Sequence, residues 1–174
     1  PEPEPEPEQD IQQIEIFSDF TISYDALVAQ SSQTNIYNHH TTPSGTETAS
    51  LVAGETYKIY VIGGGGGGGS CIDTTNSSAA GGGGGGLSYC EITPTQNIDI
   101  SFNIGSGGNH VNGDSGQNGG TSILNGSGIN MQSIGGAGGS GNGGTSGGTG
   151  GSGTSTLNST IMTIIASQNG TGGN

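Results

Sequence analysis

The stretch Tyr57-Lys58-Ile59-Tyr60-Val61-Ile62-Gly63-Gly64-Gly65-Gly66-Gly67-Gly68-Gly69 decides how this chain folds. Its first six residues carry the period-two signature of a β-strand, and the seven that follow have no side chain at all. A second strand-like stretch, Leu87 to Ile92, is preceded by Gly81-Gly82-Gly83-Gly84-Gly85-Gly86. Without Cβ atoms, two backbones can approach until their N–H and C=O groups pair where side chains would intervene. Ordering glycine costs more conformational entropy than ordering any other residue, so such an array is either a flexible tether or a scaffold with strong compensation.

Length favours the scaffold. Polyproline II geometry rises about 3.1 Å per residue, so a seven-glycine run spans roughly 22 Å, and a six-residue strand spans roughly 20 Å. The match predicts glycine segments that cross the same thickness as the strands, hydrogen-bond to one another in a lattice, and carry polar loops at both ends. Alternating apolar stretches recur at Ile14–Phe17, Thr21–Tyr24, Ala26–Val28, Ile98–Ile104 and Ile161–Ala166, and no window has a helical stripe. The expected fold is all-β, with β-sandwich-like strands combined with a polyglycine II helix bundle and essentially no α-helix.

Three parts follow along the chain. Residues 1–9 are a Pro-Glu repeat that reads as an extended acidic spacer. Residues 10–62 read as a β-strand-rich part of four or five strands, with turns at Thr41–Gly45 and Ala53-Gly54. Residues 63–174 read as the glycine-rich part, with polyglycine II segments and a few strands.

Only 27% of the chain is hydrophobic and tryptophan is absent, so a large side-chain core is not available. Net charge is −13 with a single basic residue, Lys58. That excludes nucleic acid, whose phosphates need several Lys or Arg, and electrostatic binding to anionic membranes. No run is long enough to span a membrane as a helix, and a start at Pro1-Glu2 reads as processed. Solubility carried by Ser, Thr, Asn and Gln rather than by ion pairs suits an extracellular location with variable salt. Cys71 and Cys90 flank the second glycine run, and the expectation is a disulfide closing that loop, worth about 3 kcal/mol; the alternative is two buried thiols.

In its order of pieces the chain resembles the glycine-rich domain of phage tail-fibre proteins, microbial surface proteins and the ectodomains of anaplastic lymphoma kinase-type receptors. The succession is a strand (Tyr57–Ile62), a glycine run (Gly63–Gly69), a variable loop (Cys71–Ala80), and a second run ending in an aromatic (Gly81–Gly86, Leu87-Ser88-Tyr89). Thr93-Pro94-Thr95-Gln96 then precedes Ile98–Ile104, followed by Gly105-Ser106-Gly107-Gly108, Gly119-Gly120-Thr121-Ser122 and Gly135-Gly136-Ala137-Gly138-Gly139. It covers about residues 50–150. Thr95 stands where the family has glycine, and the Trp-containing opening is missing. The resemblance implies strands combined with a polyglycine II bundle, and a tail-fibre-like role implies receptor binding through loops.

No catalytic set emerges. Gly113-Asp114-Ser115-Gly116 mimics a serine nucleophile's surroundings but reads as a turn, since a triad also needs an oriented histidine and only His39, His40 and His110 exist. The glycine runs lack the lysine and the helix of a phosphate-binding loop. His39 and His40, as strand neighbours, face opposite sides and make no metal pair. Asn112, Asp114 and Asn118 do not have calcium-loop spacing. Glycosylation triplets headed by Asn76, Asn125, Asn158 and Asn169 occur about as often as chance gives, and mark exposed loops. A flat ice-binding bundle predicts three-residue repeats, and the glycine interruptions read as irregular.

The expectation is therefore a non-enzymatic extracellular structural protein without cofactor or metal. It forms a homo-oligomer or filament in which an N-terminal segment, with Ile11, Ile14, Ile16, Phe17 and Phe20 as contact residues, adds to a neighbouring copy. The alternative is an adhesin binding a cell-surface receptor or glycan through Asp73, Asn76, Asn109, His110, Asn112 and Asp114.

Overall fold

The computed structural model describes residues 20–23, 37–38, 46–72, 78–142 and 144–173. Its ten strands form two antiparallel sheets of five, and no helix occurs among the described residues. The first sheet has the order β10-β5-β4-β1-β2, from β1 (Phe20–Ser23), β2 (Tyr37–Asn38), β4 (Tyr57–Ile62), β5 (Leu87–Pro94) and β10 (Met162–Gly170). The second has the order β3-β6-β7-β8-β9, from β3 (Glu47–Leu51), β6 (Ile98–Asn103), β7 (Ser122–Gly126), β8 (Ile129–Ser133) and β9 (Gly153–Leu157).

The all-β expectation holds, and the strongest alternating stretches are β4, β5 and β6. The stretches Ile14–Phe17 and Ala26–Val28 lie outside the described residues. Sequence periodicity missed β7, β8 and β9: each has at most two or three apolar residues embedded in Gly, Ser, Thr and Asn. Asn125 and Asn169, expected in loops, lie in β7 and β10.

Alternation in β4 buries Tyr57, Ile59 and Val61, and β5 adds Cys90 and Ile92. From the facing sheet come Leu51, Ile98, Ile100, Phe102, Leu124, Ile129 and Met131. Each such side chain contributes about 1.5–3 kcal/mol on burial. The expected division at residue 62 is not a boundary between folded units, because β4 pairs with β5 and β3 pairs with β6. The core needs strands from both parts.

At one end of the sandwich the chain leaves the sheets end-on. β4 runs into segment I (63–70), β6 into segment III (105–110), β8 into segment V (134–141) and β10 into segment VII (171–173). Segments II (80–86), IV (114–121) and VI (146–152) run the other way, into β5, β7 and β9. The N–H groups of Gly63, Gly66 and Gly69 donate to carbonyls of Gly86, Gly83 and Ala80 in segment II at 2.9, 2.8 and 2.9 Å. Those of Gly64, Gly67 and Ser70 donate instead to Gly120, Gln117 and Asp114 in segment IV. Partners thus recur every third residue. This is the three-residue turn of polyglycine II, which has no bonds within a segment and satisfies its polar groups only through neighbours.

The bonds place the segments in two layers, III-I-II-VII against IV-V-VI. Segment V, for example, accepts from Ala80, Gly83 and Gly86 of segment II and donates through Gly136 and Gly139 to Gly64 and Gly67 of segment I. Strand order is carried through, since VII, II and I follow β10, β5 and β4, while IV, V and VI follow β7, β8 and β9. Segment III alone changes layer and lies beside I, where the N–H of Gly108 donates to Gly65. One expectation is corrected here: the segments extend the strands rather than cross the same thickness, so polar loops occur only at the far end of the bundle.

In two of the segments the interruptions are regular. In segment V the residues with side chains are Ile134, Ala137 and Ser140, and in segment VI they are Ser146, Thr149 and Ser152. Each set keeps one phase of the three-residue turn, the phase that does not face a neighbouring backbone.

Small buried serines mark the junction between sandwich and bundle. Ser133 donates its hydroxyl to the carbonyl of Val61 at 2.7 Å and lies 3.0 Å from the Ser88 hydroxyl, which reaches the carbonyls of Gln132 and Thr154. Ser122 Oγ accepts from the N–H of Gly105 at 3.0 Å. Facing sheets stand about 10 Å apart and hydrogen-bonded chains about 4.8 Å, so the layers must converge here, and serine is small enough to fit while replacing ladder bonds. Ser133→Ala leaves Val61's carbonyl without this donor. Urea denaturation should show a loss of about 1–3 kcal/mol, the cost of an unsatisfied buried polar group.

Candidate assembly edge and binding loops

β1 lies against β4 in the register Phe20↔Val61, Thr21↔Tyr60, Ile22↔Ile59 and Ser23↔Lys58, with β2 outside it. Of the expected assembly residues, Phe20 opens β1, while Ile11, Ile14, Ile16 and Phe17 lie outside the described residues. At the other edge of this sheet, β10 carries a bulge between Ile164 and Ala166 and exposes Ile165. That corner is tied to the second sheet by a bridge between Ser152 and Thr171 and by the Ser155 and Ser167 hydroxyls, 2.9 Å apart.

The far tip of the bundle gathers the turn between segments III and IV, the end of segment I and the start of the V–VI connection. Asn109, His110, Asn112 and Asp114 are all exposed there, as the loop expectation required. Asp114 Oδ1 accepts from the N–H of Ser115 at 2.7 Å, and Ser70 donates its hydroxyl to Asn112 Oδ1 at 3.3 Å. The Asn142 amide donates to the carbonyl of Gly113. Gly113 has φ +72°, and the Ile72 side chain occupies the place a Cβ would take. Asp73 and Asn76 lie outside the described residues. Among the described residues no group of His, Cys, Asp or Glu could hold a metal ion.

The expected disulfide is corrected. Both cysteines are free thiols. Cys90 lies in β5 with its sulfur 3.5 Å from that of Met131 across the core. Cys71 follows segment I and donates to the carbonyl of Ser78 at 2.6 Å. The glycine run between them in space carries one to the tip and leaves the other in the sandwich. Burial pushes the Cys90 thiol up from 9.0 to about 12.

A family model described as a glycine-rich domain matches residues 41–174. The chain belongs to the glycine-rich domain family. No curated protein and no solved structure matches it. The glycine-rich domain so bounded contains β3 to β10 and the whole bundle, and it leaves β1 and β2 outside.

One feature of the glycine-rich domain escaped the sequence. On the outer face of the first sheet, Tyr60 of β4 and Tyr89 of β5 are register partners with ring centroids 4.7 Å apart and planes tilted by 33°. The Tyr89 hydroxyl donates to Glu91 Oε2 at 3.1 Å. Desolvation first, and then the bond to Glu91, raise its pKa from 10.0 to about 12. Alternation puts each tyrosine on the outward phase of its strand, but only the pairing of strands far apart in sequence brings them together.

Proposed function

We propose that the protein is a non-enzymatic extracellular structural protein, the subunit of a self-assembling fibre in which the segment containing β1 is donated to the β4 edge of a neighbouring copy. The observation that carries this is the origin of β4's second neighbour. β4 supplies Tyr57, Ile59 and Val61 to the core, and among the described residues of 41–174 it is paired on one side alone, by β5. The missing place is taken by a four-residue strand from outside those residues. A strand edge left open by its own domain is a template for an extended segment, whose main-chain bonds supply affinity irrespective of which chain donates it. The acidic Pro-Glu repeat ahead of β1 suits a spacer between subunits.

Ser23 and Lys58 are register partners, so Ser23→Cys and Lys58→Cys on separate chains, each with Cys71→Ser, provide the test. After assembly of an equal mixture and mild oxidation, a disulfide-linked dimer is expected that neither variant forms alone. Linkage seen only when both cysteines share one chain, migrating as a monomer, rejects strand donation.

The tip supports a second reading, an adhesin. Asn109, His110, Asn112 and Asp114 are presented at the end of a rigid bundle away from the β1 edge, the kind of loop placement that binding surfaces use.

A further inference from the structure

The outer face of the first sheet carries a groove of about 620 Å³ lined by Tyr60, Leu87, Tyr89, Gln168, Asn169 and Gly170. The floor is the Tyr60–Tyr89 pair, held by the β4–β5 register and by the bond from Tyr89 to Glu91. One wall is the end of β10, where Gln168 stands opposite Tyr89 and Gly170 opposite Leu87. A side chain at 170 would stand beside Leu87, so glycine there keeps the groove open.

We infer that this groove binds a neutral glycan chain. Two adjacent tyrosine rings offer apolar faces with polar rims, which match the C–H faces of pyranose rings, and they do so with little rotamer entropy to lose. The amide of Gln168, on the same face of the sheet as Tyr89, provides donors and an acceptor, the mixed pattern that sugar hydroxyls require. Charge selects a neutral ligand. Glu91 and Lys58 face each other in the register, so the site offers no net charge of either sign, while the chain as a whole carries −13 and repels anions. An extended peptide is disfavoured because the groove lies on the face of the sheet, where no ladder positions are available for its main chain. The site is on a different surface from the tip loops and does not depend on strand donation.

Calorimetric titration of the full chain with hexamers of glucose, mannose and N-acetylglucosamine, and with hexagalacturonate as the charged control, tests this. Saturable binding of at least one neutral hexamer is expected, with Tyr60→Ala and Tyr89→Ala each weakening it about tenfold or more, the equivalent of one aromatic contact. Gln168→Ala, an exposed position on an edge strand that should not disturb folding, is expected to weaken it about threefold to tenfold, the range of one hydrogen bond. Tyr89→Phe keeps the ring and should retain most of the affinity. No binding of any neutral hexamer up to about 10 mM, well above the weakest affinity worth calling specific, overturns the inference. So does binding that is unchanged in all three alanine variants, or tighter binding of hexagalacturonate.

Discussion

Replacing Gly85 with alanine is expected to unfold the bundle, whereas replacing Gly65 with alanine is expected to leave the protein as stable as before or slightly more so. Both residues are glycines within the runs that define the sequence, and both have ordinary negative or extended φ, so the backbone itself accepts alanine at either site. What differs is the neighbour. A Cβ on Gly85 would overlap the carbonyl oxygen of Gly63, and one on Gly66 would overlap that of Ala137. These obstacles are main chain fixed by the lattice, so no rotamer change can relieve them, and separating the segments breaks a row of N–H···O bonds. The cost should exceed the about 1–3 kcal/mol usual for overpacked cores. At Gly65 the nearest atom is 3.8 Å away, and the gain from a stiffer unfolded chain is about 0.4–1 kcal/mol. Thermal unfolding of Gly85→Ala, Gly66→Ala and Gly65→Ala measures the difference. Equal loss in all three would mean that the runs are not packed as two layers.

Alkaline pH should destabilise the protein steeply through one buried thiol. Cys90 is wholly buried in the core, and its pKa rises from 9.0 to about 12. Below pH 9 the thiol is protonated in both native and unfolded chains and contributes no pH dependence. Between 9 and 12 the unfolded chain loses the proton and the native chain keeps it, so ionisation favours unfolding and stability falls by about 1.4 kcal/mol per pH unit. Across that window the loss is about 4 kcal/mol, a large fraction of a domain's stability. Above 12 the loss stops growing. Cys90→Ala begins from a less stable protein at neutral pH, because it leaves a small cavity beside Met131, but it should lack this slope. The difference in slope between the two proteins over that window isolates the contribution of Cys90. Parallel curves would mean that water reaches the sulfur. The same burial keeps Cys90 out of the oxidation used to trap strand donation.

Legibility in the sequence depended on how much of a signal was local. β4 and β6 could be read because each places three apolar residues on one phase within a short stretch, and β5 because Leu87, Tyr89, Cys90 and Ile92 fall within six residues. β7 and β8 could not: Ile123-Leu124 and Ile129-Asn130-Met131 are too brief for periodicity to register, and they become strands because β6 offers a ladder on one side and a core on the other. The irregular look of the glycine interruptions had a similar origin. Read along the whole chain they follow no period, since segments V and VI keep a single phase and segment IV does not, and Ala137 and Thr149 line up only once the neighbours of segments V and VI are known. The disulfide expectation failed because spacing along the chain says nothing of direction. Segment I carries Cys71 away from the sheet in which Cys90 is held. Of the candidate binding residues, Asn109, His110, Asn112 and Asp114 were found from their polarity and their place between glycine segments, while Tyr60 and Tyr89, 29 positions apart in the chain, were not.

The sequence by itself determined that this protein is all-β and that its glycines form a scaffold rather than a tether. Those properties follow from composition and local period, since backbones without side chains can approach closely enough to pair with one another, and alternation of polarity fixes which face of a strand is buried. Only the tertiary structure decided that each glycine segment extends a strand, that the segments stand in two layers inheriting the order of the two sheets, and which glycines are indispensable. The reason is that polyglycine II has no bonds of its own. Its geometry is completed by neighbours, and the neighbours are chosen by the sandwich that feeds them.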